Sequence, residues 1–269
     1  MKLGVFTCLL GNLPLEEALK YFSSFGVEMV EIGCGGYPGN SHANPDILLN
    51  DETKLAEFKA LIAKYNLEIS ALSCHANPVH PNKALAADFD KAIRDTILLA
   101  EKLGISRINT FSGCPGDSEA AKYPNWVTCP WPNDFTEILE WQWNDVLIPY
   151  WKDLVQFSKA HGVDKIGLEM HPGFCVYNTE TLLKLRAAVG DEIGANFDPS
   201  HLIWQGMDPV AVIRKLGPAI FHFHAKDTKI DKYNTAVNGV LDTKTYTDEI
   251  NRSWIFRAIG YGNDEAYWK

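Results

Sequence analysis

Residues 165–201 open with Lys165-Ile166-Gly167-Leu168-Glu169-Met170-His171-Pro172 and close with Gly194-Ala195-Asn196-Phe197-Asp198-Pro199-Ser200-His201. Each is an apolar run that ends in a carboxylate. Between them, residues 179–189 carry apolar side chains at helical spacing. This is the pattern of two parallel strands joined by a helical crossover, with an ionisable group at the C-terminal end of each strand. A third unit follows: a helix over residues 208–216, then the run Phe221-His222-Phe223-His224-Ala225-Lys226-Asp227.

The same beat extends towards the N-terminus. Short β-type runs are expected at residues 2–8, 27–32, 67–73 and 107–111, with amphipathic helices between them. One helix is stopped by Gly26 and another by Gly104. Strands that alternate with helices and lack tight hairpin turns fit either a doubly wound sheet or a β/α barrel. Two observations favour the barrel. No Gly-rich dinucleotide fingerprint follows the first strand, where Thr7-Cys8-Leu9-Leu10-Gly11-Asn12 stands instead. Glu31, His75, Glu169, Asp198 and His224 all fall at expected strand ends, which a barrel gathers at one mouth. The expected architecture is one α/β domain over residues 1–269, a TIM (β/α)8-type barrel.

Composition is that of a folded chain, with 46% hydrophobic and 22% charged residues. Thirty-four acidic against 25 basic residues give a net charge of −9, a field that repels phosphate backbones. With no dense Lys/Arg cluster, a nucleic-acid partner is not expected. The six Cys are scattered without a C-x-x-C pair, which reads as reduced thiols in a cytoplasmic protein. The first residues have no signal-peptide pattern, and no run reaches the 18 or so apolar residues a membrane span needs. A homo-oligomer stays open.

One segment, residues 113–150, breaks the beat and carries Trp126, Trp131, Trp141 and Trp143. Such a stretch either packs its aromatics on the barrel wall or forms a lid whose rings cover a substrate.

A carboxylate directly after an apolar strand is costly to bury unless it is paired or holds a metal. Taken singly, Glu169 could be a salt-bridging residue, Asp198 a helix N-cap and His224 a satisfied core histidine. The next helix is expected only near Asp208, which weakens the N-cap reading of Asp198. Taken together, Glu169, Asp198 and His224 occupy the same position in three consecutive units. Strand alternation also places His222 on the same side as His224. Carboxylates with an imidazole suit a divalent ion such as Mn²⁺, Co²⁺, Mg²⁺ or Zn²⁺. Such an ion can hold vicinal sugar oxygens and stabilise a developing enediolate while a carboxylate moves the proton. His201, three residues after Asp198, can point into the same mouth.

The segments Leu168–Pro172, Asn196–His201 and His222–Asp227 resemble the xylose-isomerase-like barrels of the sugar phosphate isomerase/epimerase family, close to its inosose-dehydratase-like branch. Ser73-Cys74-His75-Ala76-Asn77-Pro78 and Phe256-Arg257-Ala258-Ile259-Gly260-Tyr261-Gly262 are similar to that group as well. The resemblance implies metal ligands at Glu169, Asp198 and His224, with Glu169 doubling as acid/base. It implies metal or substrate contact at His201, a substrate-binding Arg257, and pocket positions at His75 and His171. The implied activity is isomerisation or epimerisation of a small sugar, sugar phosphate or polyol. A keto-inositol dehydratase on the same metal site is one alternative, and a non-catalytic sugar-binding protein or inactive fragment is another. Nuclease relatives need a His on the fourth strand, where Asn109-Thr110-Phe111 offers none.

The family's metal set has a fourth member, a Glu on an eighth strand. Here the chain reads Asn263-Asp264-Glu265-Ala266-Tyr267-Trp268-Lys269, and Asp264 and Glu265 read as helix-capping charges. With excursions at 113–150 and 225–262 taking up length, seven strands are expected and a truncated eighth unit. The barrel should then be incompletely closed, with three of the four ligands.

Overall fold

The computed structural model describes residues 2–269. Seven parallel strands form one curled sheet in the order of the chain: β1 (Gly4–Phe6), β2 (Met29–Gly33), β3 (Glu68–Ser73), β4 (Arg107–Thr110), β5 (Lys165–Glu169), β6 (Ile193–Phe197) and β7 (Ile220–Phe223). The crossovers carry α1 (Leu15–Ser23), α2 (Pro45–Leu48), α3 (Glu52–Lys64), α4 (Lys83–Leu103), α5 (Asp134–Trp141), α6 (Ile148–Ala160), α7 (Thr179–Val189), α8 (Pro199–Ile203) and α9 (Pro209–Leu216). A π-helical turn, Gln142–Leu147, joins α5 to α6. The barrel expected from the sequence is therefore present as seven βα-type strands, and β1 and β7 are not hydrogen-bonded to each other.

Local chemistry explains the helix limits. Asp51 accepts from Thr53 and Lys54 at the start of α3, and Asn178 with Thr181 builds a capping box on α7. Gly104 ends α4 with φ of 70°, a left-handed turn that glycine adopts without steric cost. The outward faces of the strands pack on the helices. Val30, Ile32, Leu72, Ile108, Ile166 and Ile193 are fully buried against residues such as Leu19, Ile97, Leu154 and Leu185. Each such side chain stabilises the fold by about 1.5–3 kcal/mol relative to exposure. The sheet's concave side is different, as it carries Glu31, Asn109, Asn196 and His222.

The aromatic segment divides. Trp143 is core, Trp126 packs edge-on against Tyr177, and Trp131 is exposed. Two features differ from the sequence expectation. A short helix, α8, follows β6 directly, and Asp198 is its N-cap, accepting from Ser200 N at 2.9 Å. The excursion after β7 contains an antiparallel hairpin of β8 (Asp227–Ile230) and β9 (Trp254–Arg257), with α10 (Lys232–Asn238) between them. Asp264 caps a final helical turn, α11 (Glu265–Trp268), as expected. Among the described residues, no helix is long and apolar enough to cross a membrane.

The hairpin is pinned by Asp227, whose side chain is fully buried. Its Oδ2 accepts from the backbone N–H groups of Gly260, Gly262 and Asn263 and from Trp268 Nε1, all at 2.9–3.1 Å. Its Oδ1 accepts from Asn263 Nδ2 at 2.7 Å. Burial would raise this carboxyl, but these donors hold it below the usual range. Gly262 is required here, because a Cβ would stand 2.5 Å from the carbonyl carbon of Thr228.

Candidate active site

The C-terminal ends of β3, β5, β6 and β7 bring His75, Glu169, Asp198 and His224 to one mouth, and α8 adds His201. Glu169 lies at its centre. Its Oε1 is 2.8 Å from His201 Nε2, and its Oε2 is 2.9 Å from His75 Nε2. Burial alone would raise the Glu169 carboxyl. The hydrogen bond from His201 and the approach of His75 instead hold it well below the ordinary value. It is a carboxylate at neutral pH.

Asp198 divides its two oxygens between structure and site. Oδ1 takes Ser200 N and Ser200 Oγ, at 2.9 and 2.6 Å. Oδ2 is buried beside Lys226 Nζ at 2.7 Å and His201 Nε2 at 3.4 Å, yet neither is aligned as a hydrogen bond. One ligand atom each from Glu169, Asp198 and His201 lies within 4.8 Å of the others. A buried carboxylate oxygen without an aligned donor, beside a second carboxylate and an imidazole, fits a divalent ion. The residues present therefore suit the metal that the sequence implies.

His224 is shared. Its Nδ1 is 3.7 Å from Glu169 Oε2, while its Nε2–H donates to Glu31 Oε2 at 2.6 Å. Burial disfavours charge on this ring, but Glu31 outweighs that and raises it to about 9. Burial would raise Glu31, but the same pairing holds it down to about 2. Glu31, His222 and His224 form a second group whose ligand atoms lie within 4.8 Å. The compact carboxylate–imidazole set around Asp198 thus contains His201, with His224 turned between the two groups.

His171 packs tilted against His201, at 4.2 Å between ring centres, and its Nδ1–H donates to the Pro172 carbonyl. Burial, and then the neighbouring His201, push it down to about 3, so it is neutral at physiological pH. Arg257 is placed apart from these groups. Its guanidinium pairs with Glu249 at 2.8 Å and donates to the Phe256 carbonyl. The preceding residue, Phe256, packs edge-on against His201 at 5.1 Å, and alternation along β9 turns Arg257 the other way.

Lys226, two residues beyond His224, also reaches the mouth. The structure puts its ammonium against Asp198 and over the Phe256 ring at 4.5 Å. Asp198 and Glu169 raise it despite burial. Its spacing, two residues beyond His224 at a strand end, was the available signal.

The chain belongs to the xylose isomerase-like TIM barrel family, whose pattern matches residues 19–262. It is 43% identical over 275 residues to the protein YfiH of Bacillus subtilis (strain 168), covering 100% of this chain and 86% of that one. Among solved structures it is similar to a D-tagatose 3-epimerase-like protein, with TM-score 0.61 and 21% identity over 99% of this chain and 83% of that one. It is also similar to the probable 3-DHS dehydratase AsbF of Bacillus anthracis, with TM-score 0.60 and 19% identity over 93% and 87% of the two chains. At these identities the two structures establish the shared fold.

Proposed function

We propose that this chain is a metal-dependent isomerase or epimerase of a small sugar, sugar phosphate or polyol. The observation that carries the reading is Glu169, a buried carboxylate hydrogen-bonded by His201 and approached by His75, beside the unaligned oxygen of Asp198. Glu169, Asp198 and His224 or His201 would hold the ion, with Mn²⁺, Co²⁺, Mg²⁺ and Zn²⁺ all compatible with an oxygen and imidazole set. When bound, the ion supplies Lewis acidity towards adjacent substrate oxygens.

The side chains supply the remainder. Glu169 is ionised, and so ready to accept a proton from the carbon next to a carbonyl. His201 holds one of its oxygens by a hydrogen bond, and His75 stands 2.9 Å from the other. Neutral His171 and the ammonium of Lys226 line the same mouth; the ammonium can donate to hydroxyl or phosphoryl oxygens, and the free Nε2 of His171 can accept from a hydroxyl. The family membership and the likeness to a D-tagatose 3-epimerase-like protein support this chemistry. Loss of water from a keto-inositol is a second reading, favoured by Lys226, a proton donor of the kind a leaving hydroxyl needs.

The test is solvent exchange. Purified protein with Mn²⁺ is incubated in D₂O with a panel of ketoses, their phosphates and keto-inositols, followed by NMR. Deuterium should enter the carbon next to the carbonyl with wild-type protein and not with Glu169→Gln. Equal exchange by the variant would sink the assignment. A product lighter by one water would favour dehydration.

A further inference from the structure

Glu31 stands where a barrel interior normally carries a branched apolar side chain. Its neighbours in β2, Val30 and Ile32, point outward into the core, so alternation turns Glu31 to the concave side, where it is 2% exposed. Burying an unpaired carboxylate costs several kcal/mol as a rough scale, so the fold must supply partners. It supplies them asymmetrically. Oε1 accepts from Ser73 Oγ on β3 and from Asn109 Nδ2 on β4, the latter at 3.0 Å. Gly167 on β5 keeps room for that Asn109, because a Cβ there would come within 2.5 Å of Asn109 Oδ1. The carboxylate is thereby fixed from two strands, and Oε2 is left to face β7.

What Oε2 meets is the far nitrogen of His224. The ring takes Glu31 on Nε2 and presents Nδ1 to Glu169, at 2.6 and 3.7 Å. Phe6 stacks beside it at 6.0 Å with an interplanar angle of 25°, which restrains the ring plane. His222, two residues earlier on the same side, is tied to Asn196 Oδ1 and Ser70 Oγ, both at 3.2 Å. A carboxylate can only accept, so Nε2 keeps the proton it shares with Glu31, and Nδ1 is the nitrogen that would give up its proton to take a metal.

We infer that Glu31 is the positioning residue of the metal centre, holding His224 by Nε2 so that Nδ1 faces Glu169 as a ligand. It acts through His224 and is not itself a ligand. The inference rests on the metal-dependent reading above. Outer carboxylates that orient a ligating imidazole are worth about 10–100-fold in metal affinity.

The experiment compares wild type with Glu31→Gln and Ser73→Ala by titration calorimetry with MnCl₂ and by the visible spectrum of the Co²⁺-loaded proteins. Zn²⁺-loaded samples labelled with ¹⁵N-histidine report which nitrogen of His224 carries the proton. Wild type should bind one ion, with His224 protonated at Nε2. Glu31→Gln should bind about 10–100-fold more weakly, with an altered Co²⁺ spectrum. Ser73→Ala keeps the ion pair and loosens only the Oε1 anchor. It should weaken binding by a smaller factor, and it serves if Glu31→Gln does not fold. A structural role alone would lower the melting temperature and leave affinity and spectrum unchanged, which would overturn the inference. Two ions per chain, the second lost in Glu31→Gln and His222→Ala, would also overturn it, since Glu31 would then be a ligand. Wild type that binds no divalent ion would remove the metal reading itself, a different failure from a variant that binds as wild type does.

Discussion

Nε2 of His201 sits 2.8 Å from Oε1 of Glu169, although 32 residues separate the two in the chain. The short helix α8 makes the contact, because Asp198 caps it with one oxygen and so turns His201 back over β5. The same Asp198 leaves its second oxygen beside Lys226. A bound divalent ion should therefore stabilise the folded protein through residues already in place. A ligand at about 100 times its Kd adds about 2.7 kcal/mol. For a chain of this size that corresponds to roughly 5–10 °C in Tm. Differential scanning fluorimetry with MnCl₂ should show this rise in wild type and little of it in Asp198→Asn. An equal rise in both would remove Asp198 from the ligand set.

The histidines give a pH profile of stability for protein stripped of metal with EDTA. His224 is raised to about 9 by Glu31, so its contribution is complete below the unfolded value near 6.5 and is lost as pH rises through 9. His171 and His222 are lowered by burial to about 3 and about 4. Below 6.5 the unfolded chain takes up protons that these two refuse when folded, so stability falls with pH there as well. The maximum should lie near pH 6.5, with a loss of about 1–3 kcal/mol by pH 9. Urea denaturation at pH 5, 6.5 and 9 reads it. Stability that climbs steadily from 6.5 to 9 would contradict the pairing.

Asp227 gathers donors from residues 33 to 41 positions further along. Replacing it with Ala strands several of them in a buried setting, at about 1–3 kcal/mol each where water cannot reach. Asp227→Ala should lose about 3 kcal/mol or more in urea, with new proteolytic cuts confined to residues 227–262. Cuts spread across the whole chain would show that the hairpin and the barrel unfold together.

Trp151 is fully buried on α6, and its Nε1 donates to the Ser112 carbonyl at 3.0 Å. Trp151→Phe should cost roughly 1–3 kcal/mol for the orphaned carbonyl and lost volume, and Trp151→Ala about 3–5 kcal/mol. Chemical denaturation separates the two. Indistinguishable variants would mean that the site collapses around either residue.

Much of the barrel was legible because its signals are local. Helix α7 and strand β6 begin and end where periodicity and capping residues place them. Helix α8 was not legible, since five residues carry too little periodicity to register. The β8–β9 hairpin was missed for a related reason: its strands are separated by a long connection in place of a tight turn. In the site, Glu169 and Asp198 were readable as carboxylates at strand ends. The partnership of His224 with Glu31 was not, because 193 residues lie between them and no spacing rule links β2 to β7. Only a Glu between Val30 and Ile32 hinted that something inside the barrel must answer it. Arg257, expected at the substrate, pairs with Glu249, while its neighbour Phe256 is the β9 residue that packs on His201.

The seven strands lie in the sheet in the order in which they are synthesised. Each strand leaving the ribosome therefore meets an edge already waiting for it, and the sheet can lengthen without rearranging what came before. The contacts that join its two ends, Glu31 with His224 and Ser70 with His222, need residues that are synthesised after the other six strands. Until they form, the carboxylate of Glu31 has no cation beside it. Curling shut and electrical neutralisation of the interior both depend on the seventh strand, the last of the sheet to be made.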